Sequence, residues 1–288
     1  MIYQVQRYCV HDGRGIRTTI FFKGCQLHCP WCANPESQHL EKEIGFYAHK
    51  CVDCGECARV CPKGAIVNHR IDRNLCDQCG LCVYHCAAEA LTIFGKELSV
   101  DELVEEACRD EVFYKTSGGG VTLSGGEAVL FPQVIFPLLT ELKKRGIHVA
   151  LESNGLFGQE IRQRLLPLVD QYLLDLKHMD SQKHKQVLGV GNEQALETIR
   201  FFSKQDLTIR IPLIPNFNDD EENLRRSARF ARECAAPVDV LPFHAMGRPK
   251  YEALGLTYAY ADVPRHTQEQ LERVKEIFQE ENITISNI

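Results

Sequence analysis

Along this chain, short β-branched runs alternate with longer stretches of helical spacing, most regularly from residue 97 to the end. The runs predict strands at 18–22, 121–123, 148–151, 172–176, 208–212 and 238–242. Helical patterns follow most of them. In SVDELVEEACRD, Ser99 and Glu102 have capping-box spacing, which predicts a helix starting after Ser99. Six strand–helix units in succession predict an α/β fold with parallel strands, a partial (β/α)6 barrel of the TIM type. Such barrels keep their chemistry at the C-terminal ends of the strands. Here those positions carry GCQLHCPWC, SGGE, ESNG, DLK, Arg210 and His244.

The chain has 288 residues, of which 44% are apolar, enough for one large core plus a small inserted module. A net charge of -6 leaves no overall basic field for nucleic acid or for an anionic membrane surface. No run approaches the roughly 18 apolar residues of a spanning helix, and the N-terminus lacks a signal-peptide pattern, so a cytoplasmic location is expected. Cysteine changes the picture. Of fourteen, eleven lie between Cys25 and Cys86. Cytosolic thiols stay reduced, so clustered cysteines point to metal and not to a disulfide framework.

Two spacings stand out. Cys25, Cys29 and Cys32 form C-x3-C-x2-C directly after the first predicted strand, three soft thiolates able to hold three irons of a four-iron cluster and leave the fourth open. Structural zinc would want a fourth ligand, and the next cysteines belong to a pattern complete in itself. Cys51, Cys54, Cys57, Cys61 and Pro62 match C-x2-C-x2-C-x3-C-P, and 25 residues later Cys76, Cys79, Cys82 and Cys86 repeat the run with Ala87 in place of the proline. In this two-cluster ferredoxin spacing the fourth cysteine of each run serves the other cluster. The expected sets are Cys51, Cys54, Cys57 with Cys86, and Cys76, Cys79, Cys82 with Cys61. Residues 46–95 therefore read as a ferredoxin-like insertion into a barrel made of 1–45 and 96–288.

The glycine-rich SGGGVTLSGGE lacks the Gly-Lys-Ser or Gly-Lys-Thr of a phosphate loop, which disfavours nucleoside triphosphate hydrolysis. Asp175 and Lys177 flank Leu176, so in a strand they share a face. A buried structural ion pair is the plainer reading of them. Cys9, Cys108 and Cys234 fit no cluster and read as small core residues.

The three-cysteine loop with Trp31 before its last cysteine resembles the signature of radical S-adenosylmethionine enzymes. DGRGIRT, CANPES, TLSGGE, ESNG, LLDLK, RIPLIP and LPFH, spread over almost the whole chain, resemble the activating enzymes of glycyl radical enzymes. Arg14 stands where that family usually has proline. The resemblance implies that an open iron on Cys25, Cys29 and Cys32 chelates S-adenosylmethionine and that Gly125, Gly126 and Glu127 hold its amino group. It implies too that Asp175 and Lys177 line the pocket, with Arg210 and His244 as neighbours. Trp31 would lie near the adenine, although an aromatic there could equally be core. Glu152-Ser153 replaces an Asp-Thr pair that in the pyruvate formate-lyase activase helps bind a monovalent cation. The implied inventory is three 4Fe-4S clusters, S-adenosylmethionine, a glycyl radical enzyme as protein substrate, and flavodoxin or ferredoxin as electron donor. In the implied reaction an electron from the reduced cluster cleaves S-adenosylmethionine to a 5'-deoxyadenosyl radical, which takes a hydrogen atom from a backbone glycine of the partner. Two other readings are a protein- or small-molecule-modifying radical enzyme with substrate-binding auxiliary clusters, and a plain iron-sulfur electron carrier. Eight cysteines closing two clusters argue against the first, and the second would leave the three-cysteine loop idle.

Overall fold

The computed structural model describes residues 1–288. Its strands in chain order are β1 (Ile2–Cys9), β2 (Arg17–Phe22), β3 (Glu43–Phe46), β4 (Ile66–Val67), β5 (Arg70–Ile71) and β6 (Leu91–Phe94). There follow β7 (Gly120–Gly125), β8 (His148–Ser153), β9 (Gln171–Asp175), β10 (Leu207–Leu213), β11 (Val238–Pro242) and β12 (Ile285–Ser286). Eight strands make one sheet in the order β1-β2-β7-β8-β9-β10-β11-β12. Neighbours from β2 to β12 are parallel and β1 is antiparallel to β2. The two end strands do not pair, so the barrel is open along one side. The expected parallel strands are present; β1 and β12 extend the sheet at its ends.

Strand alternation divides the sheet into two faces. Ile20, Phe22, Val121, Leu123, Val149, Leu151, Leu174, Ile209, Ile211 and Val240 join the main core, which the surrounding helices complete. The alternate positions, Thr19, Thr122, Ser124, Glu152, Asp175, Arg210 and Asp239, are polar and face the barrel interior. A purely structural barrel would fill that layer with branched apolar side chains. The helix Val100–Cys108 begins as its sequence dictates: Ser99 Oγ accepts from the Glu102 amide at 3.2 Å, and the Ser99 amide donates to Glu102 Oε2 at 2.7 Å.

The insertion leaves the barrel after β2 and returns through the antiparallel pair β3–β6, with Glu43 opposite Phe94 and Phe46 opposite Leu91. The internal repeat survives in three dimensions. One-turn helices Glu56–Arg59 and Leu81–Tyr84 each follow a left-handed glycine, Gly55 and Gly80. The module's buried cluster is small, Ile44, Ile66, Cys82 and Leu91, with partly buried side chains such as Phe46, Val60, Ile71 and Ile93 packed against it. A core of this size offsets little chain entropy.

Where module and barrel join, Lys23 is fully buried. Its ammonium donates to the Glu36 carbonyl and to Glu43 Oε2, both at 2.6 Å. Removing the cation strands a largely buried carboxylate and a carbonyl. Lys23→Met should therefore lower the stability of the metal-free protein by roughly 2 to 4 kcal/mol, read from the denaturant midpoint at constant slope. An unchanged midpoint would mean that the pair contributes nothing.

Candidate active site

At the C-terminal ends of β2, β7, β8 and β9 the interior opens on a cavity of about 280 Å³. Cys25, Cys29 and Cys32 stand on its wall together with Gly125, Gly126, Glu152, Ser153, Asp175 and Lys177. A larger groove of about 880 Å³, outside the barrel between the helices Val100–Cys108 and Pro132–Lys144, holds none of the expected site residues.

The cysteine loop is pressed against the end of β7 by two glycines. A Cβ on Gly125, whose φ is +112°, would lie 2.3 Å from the Phe22 backbone, and one on Gly126 would lie 2.2 Å from the Gly24 carbonyl oxygen. Only glycine permits that approach. The sulfurs receive weak donors: the Leu27 amide to Cys25 and the Asn34 amide to Cys32, both at 3.4 Å, and Asn154 Nδ2 to Cys25 at 3.7 Å. Burial pushes the Cys25 thiol up to about 11 and the Cys29 thiol up to about 12, against the pull of the Lys177 ammonium. Such thiols give up their protons when metal replaces them. No three ligating side chains converge as around a single ion, yet three thiols share one cavity wall. Soft, half-buried sulfurs of this kind, two of them capped by amides, fit a cluster of irons.

Lys177 Nζ donates to Asp175 Oδ2 at 2.8 Å. Burial opposes the lysine charge, but Asp175 and the neighbouring Cys29 and Cys25 outweigh it and its pKa rises. Glu152 accepts from Arg210 Nη1 and from Ser124 Oγ, both at 2.5 Å. Burial pushes its pKa up, yet Arg210 and Ser124 more than reverse that, and it lies below the ordinary carboxylate range.

Glu127 behaves oppositely. It is 1% exposed and turned away from the cavity to accept from Ser153 Oγ at 2.9 Å and the Asn154 amide at 3.0 Å. Burial pushes it up to about 7. The structure thus brings Gly125 and Gly126 to the cavity and uses Glu127 to brace the β8 turn behind it. Trp31 is likewise set apart, its ring 4.6 Å from Phe217 and 5.6 Å from Tyr260 in an aromatic cluster under the cysteine loop. Arg210 is buried next to the cavity wall, whereas His244 is exposed and accepts from the Met246 amide at 3.4 Å. Among the wall residues not singled out in the sequence are Asp12, Ser124 and Asn154. Each lies inside a quoted motif, DGRG, TLSGGE or ESNG, and that was the available signal.

In the module Cys51, Cys54, Cys57 and Cys86 line one small cavity. Around Cys82, whose thiol burial raises to about 11, the neighbouring thiols are Cys76, Cys61 and Cys79, with Cys57 beyond them. The fourth cysteine of each run thus sits with the other run. Amides of Asp53, Ala65 and Ala90 donate to Cys51, Cys61 and Cys86 at 3.4, 3.3 and 3.3 Å.

The profile of the Radical SAM superfamily matches residues 74–228, and that of a 4Fe-4S binding domain matches residues 45–67. The indoleacetate decarboxylase activating enzyme of Tractidigestivibacter scatoligenes is 38% identical over 97% of this chain and 94% of its own. The (2S)-3-sulfopropanediol sulfolyase activating enzyme of Bilophila wadsworthia is 42% identical over 90% and 89%. The benzylsuccinate synthase activating enzyme of Thauera aromatica is 38% identical over 94% and 87%. A radical SAM methyltransferase structure from Sphaerobacter thermophilus shares the fold, with a TM-score of 0.57 over 99% of this chain and 76% of that one at 14% identity. No helix is long and apolar enough to cross a membrane.

The raised carboxyl of Glu127 has a signed consequence. Between its ordinary value of 4.5 and about 7 the folded protein holds a proton that the unfolded chain has released. Its contribution to stability is complete below 4.5 and is lost as pH rises through 7. Glu127→Gln removes that dependence. Relative to wild type, the metal-free variant should gain roughly 1 to 3 kcal/mol between pH 5 and 8, measured by denaturation. A pH-independent offset would refute the burial of an ionisable Glu127.

Proposed function

Because the chain belongs to the activating enzymes of glycyl radical enzymes, within the radical S-adenosylmethionine superfamily, we propose that the cavity on Cys25, Cys29 and Cys32 is where S-adenosylmethionine is held and cleaved. The observation that carries this is the meeting, on one cavity wall, of three half-buried thiols with the glycine pair at the end of β7 and the Asp175–Lys177 pair at the end of β9. When bound there, a 4Fe-4S cluster supplies the electron that cleaves S-adenosylmethionine to the 5'-deoxyadenosyl radical, which removes a hydrogen atom from a backbone glycine of the partner enzyme.

This chain's residues do the rest. Gly125 and Gly126 leave their backbone bare on the cavity wall, as the amino group of the substrate requires. Lys177 and Arg210 put fixed positive charge at the inner end, suited to its carboxylate. Leu27, Asn34 and Asn154 donate to the cluster sulfurs, a means of setting the reduction potential. The adenine contact implied for Trp31 would require its ring to turn from Phe217. Packing at 4.6 Å favours support of the loop instead. His244 would have to turn inward to join the site.

The module, in this reading, holds two further clusters on its two cysteine sets, three in all, and relays electrons from a flavodoxin or ferredoxin. Cys54 and Cys79, one from each set, are exposed, which suits entry of an electron from a docked carrier. With all ligands from cysteine these clusters offer no open iron to a substrate.

Anaerobic reconstitution tests the central assignment. Wild type should bind about twelve irons, and the Cys25→Ala, Cys29→Ala, Cys32→Ala triple variant about eight with no 5'-deoxyadenosine formed. Product from the triple variant would sink the assignment. For the relay, Cys54→Ala with Cys79→Ala should slow 5'-deoxyadenosine formation driven by flavodoxin at least about tenfold and be largely rescued by dithionite, which reaches the catalytic cluster directly. Equal wild-type rates with both reductants would end the relay idea.

A further inference from the structure

Resting on the reading of the cavity as the S-adenosylmethionine site, the donor set at the end of β8 bears on the monovalent cation that the family resemblance implies beside it. A bound cation needs several oxygen lone pairs turned to one point and no fixed positive charge close by. Neither condition is met. Glu152 Oε1 accepts from Arg210 Nη1, and Glu152 Oε2 accepts from Ser124 Oγ, both at 2.5 Å. The hydroxyl of Ser153 donates to Glu127 at 2.9 Å and accepts from the Gly155 amide at 3.0 Å. The next carboxylate, Asp175, already holds the Lys177 ammonium at 2.8 Å.

Strand register puts the guanidinium there. Arg210 on β10 lies opposite Asp175 on β9 and Asp239 on β11. Its side chain is 6% exposed; one arm reaches Glu152, the other reaches the His11 carbonyl, and Nε is 3.9 Å from Asp239. Glu152 is one methylene longer than the Asp of the cation-binding pair, and that added reach favours the contact with Arg210. A third cation would have to take Glu152 or Asp175 from the Arg210 guanidinium or the Lys177 ammonium that already holds it.

We infer that the Arg210 guanidinium, pinned by Glu152, is the built-in replacement for the monovalent cation, and that S-adenosylmethionine binding by this protein is independent of potassium and sodium. Guanidinium is always charged and cannot dissociate, so the positive charge at this point is permanent.

The test uses the full-length reconstituted protein in potassium and in tetramethylammonium buffers of equal ionic strength. Equilibrium dialysis should give S-adenosylmethionine affinities within about twofold of each other, where a coupled cation would change them by about 5- to 150-fold. Thallium-205 NMR of the same protein, with thallium as the potassium probe, should show no saturable site. Glu152→Asp withdraws the carboxylate from Arg210, and this variant should acquire a potassium dependence of about fivefold or more. A loss of affinity of tenfold or more for wild type in tetramethylammonium, or saturable thallium binding that Glu152→Gln abolishes, overturns the inference. If wild type binds no S-adenosylmethionine in either buffer, the reading of the cavity fails instead, and thallium binding still decides the cation question. Should Glu152→Asp not fold, the two wild-type measurements decide alone.

Discussion

The interior of this barrel gathers more acidic groups than it has cations to balance. Asp12, Glu152 and Asp175 share the cavity wall with three thiols, against Lys177 on the wall and Arg210 beside it. Burial makes every uncompensated charge there costly. The arrangement is tenable because each carboxylate has a named partner: Arg210 and Ser124 for Glu152, Lys177 for Asp175, and the Thr19 hydroxyl for Asp12. The thiols add no charge of their own, because burial raises their pKa values and keeps them protonated. Metal bound in the proposed manner would replace those protons and change the charge of the whole cavity.

The insertion imposes a second condition, since its small core does little to fix where its two cysteine sets sit relative to the barrel. Its placement falls to contacts at its base. Lys23 joins β2 to Glu43 at the start of β3. Lys250 donates to Asn34 Oδ1 and Glu36 Oε1, both at 2.6 Å, and the Asn34 amide in turn faces the Cys32 sulfur. Arg73 of the module donates to the Leu254 carbonyl at 3.0 Å. One helix, Arg248–Leu254, thus touches both the loop of Cys25, Cys29 and Cys32 and the module, so tilting the module would disturb the amide that caps Cys32.

Much of this was legible in the sequence where local chemistry and spacing decide the outcome. The parallel strands were visible because one face of each is apolar and the cysteine runs because spacing alone groups them; the Ser99–Glu102 cap needs only neighbours. β1 escaped because it is an edge strand whose Gln4, Gln6, Arg7 and Tyr8 are exposed, and β12 because two residues carry no pattern. Arg17 and Lys23, fully buried, could not be recognised as interior from a chain where such residues usually lie outside. The partners of Arg17 are distant: it donates to Thr122 Oγ1 and to the Val121 carbonyl, more than a hundred residues away. Motifs located the site, but not which way each side chain turns within it.

Glu127 and Glu152 show why direction matters. Both are glutamates at the ends of adjacent parallel strands, and both were assigned to the pocket. Glu152 lies at an inward position of β8, where Arg210 can reach it, and so stays ionised. Glu127 follows the two glycines of β7, whose close packing against Phe22 and Gly24 sends the chain behind the wall, where only amides and a hydroxyl are available. Neutral donors offset part of the desolvation of a carboxylate but supply no countercharge, so its pKa rises to about 7. The same backbone compression that brings the cysteine loop to the strand ends therefore separates one acidic group that faces the cavity from one that braces the turn bearing Ser153 and Asn154.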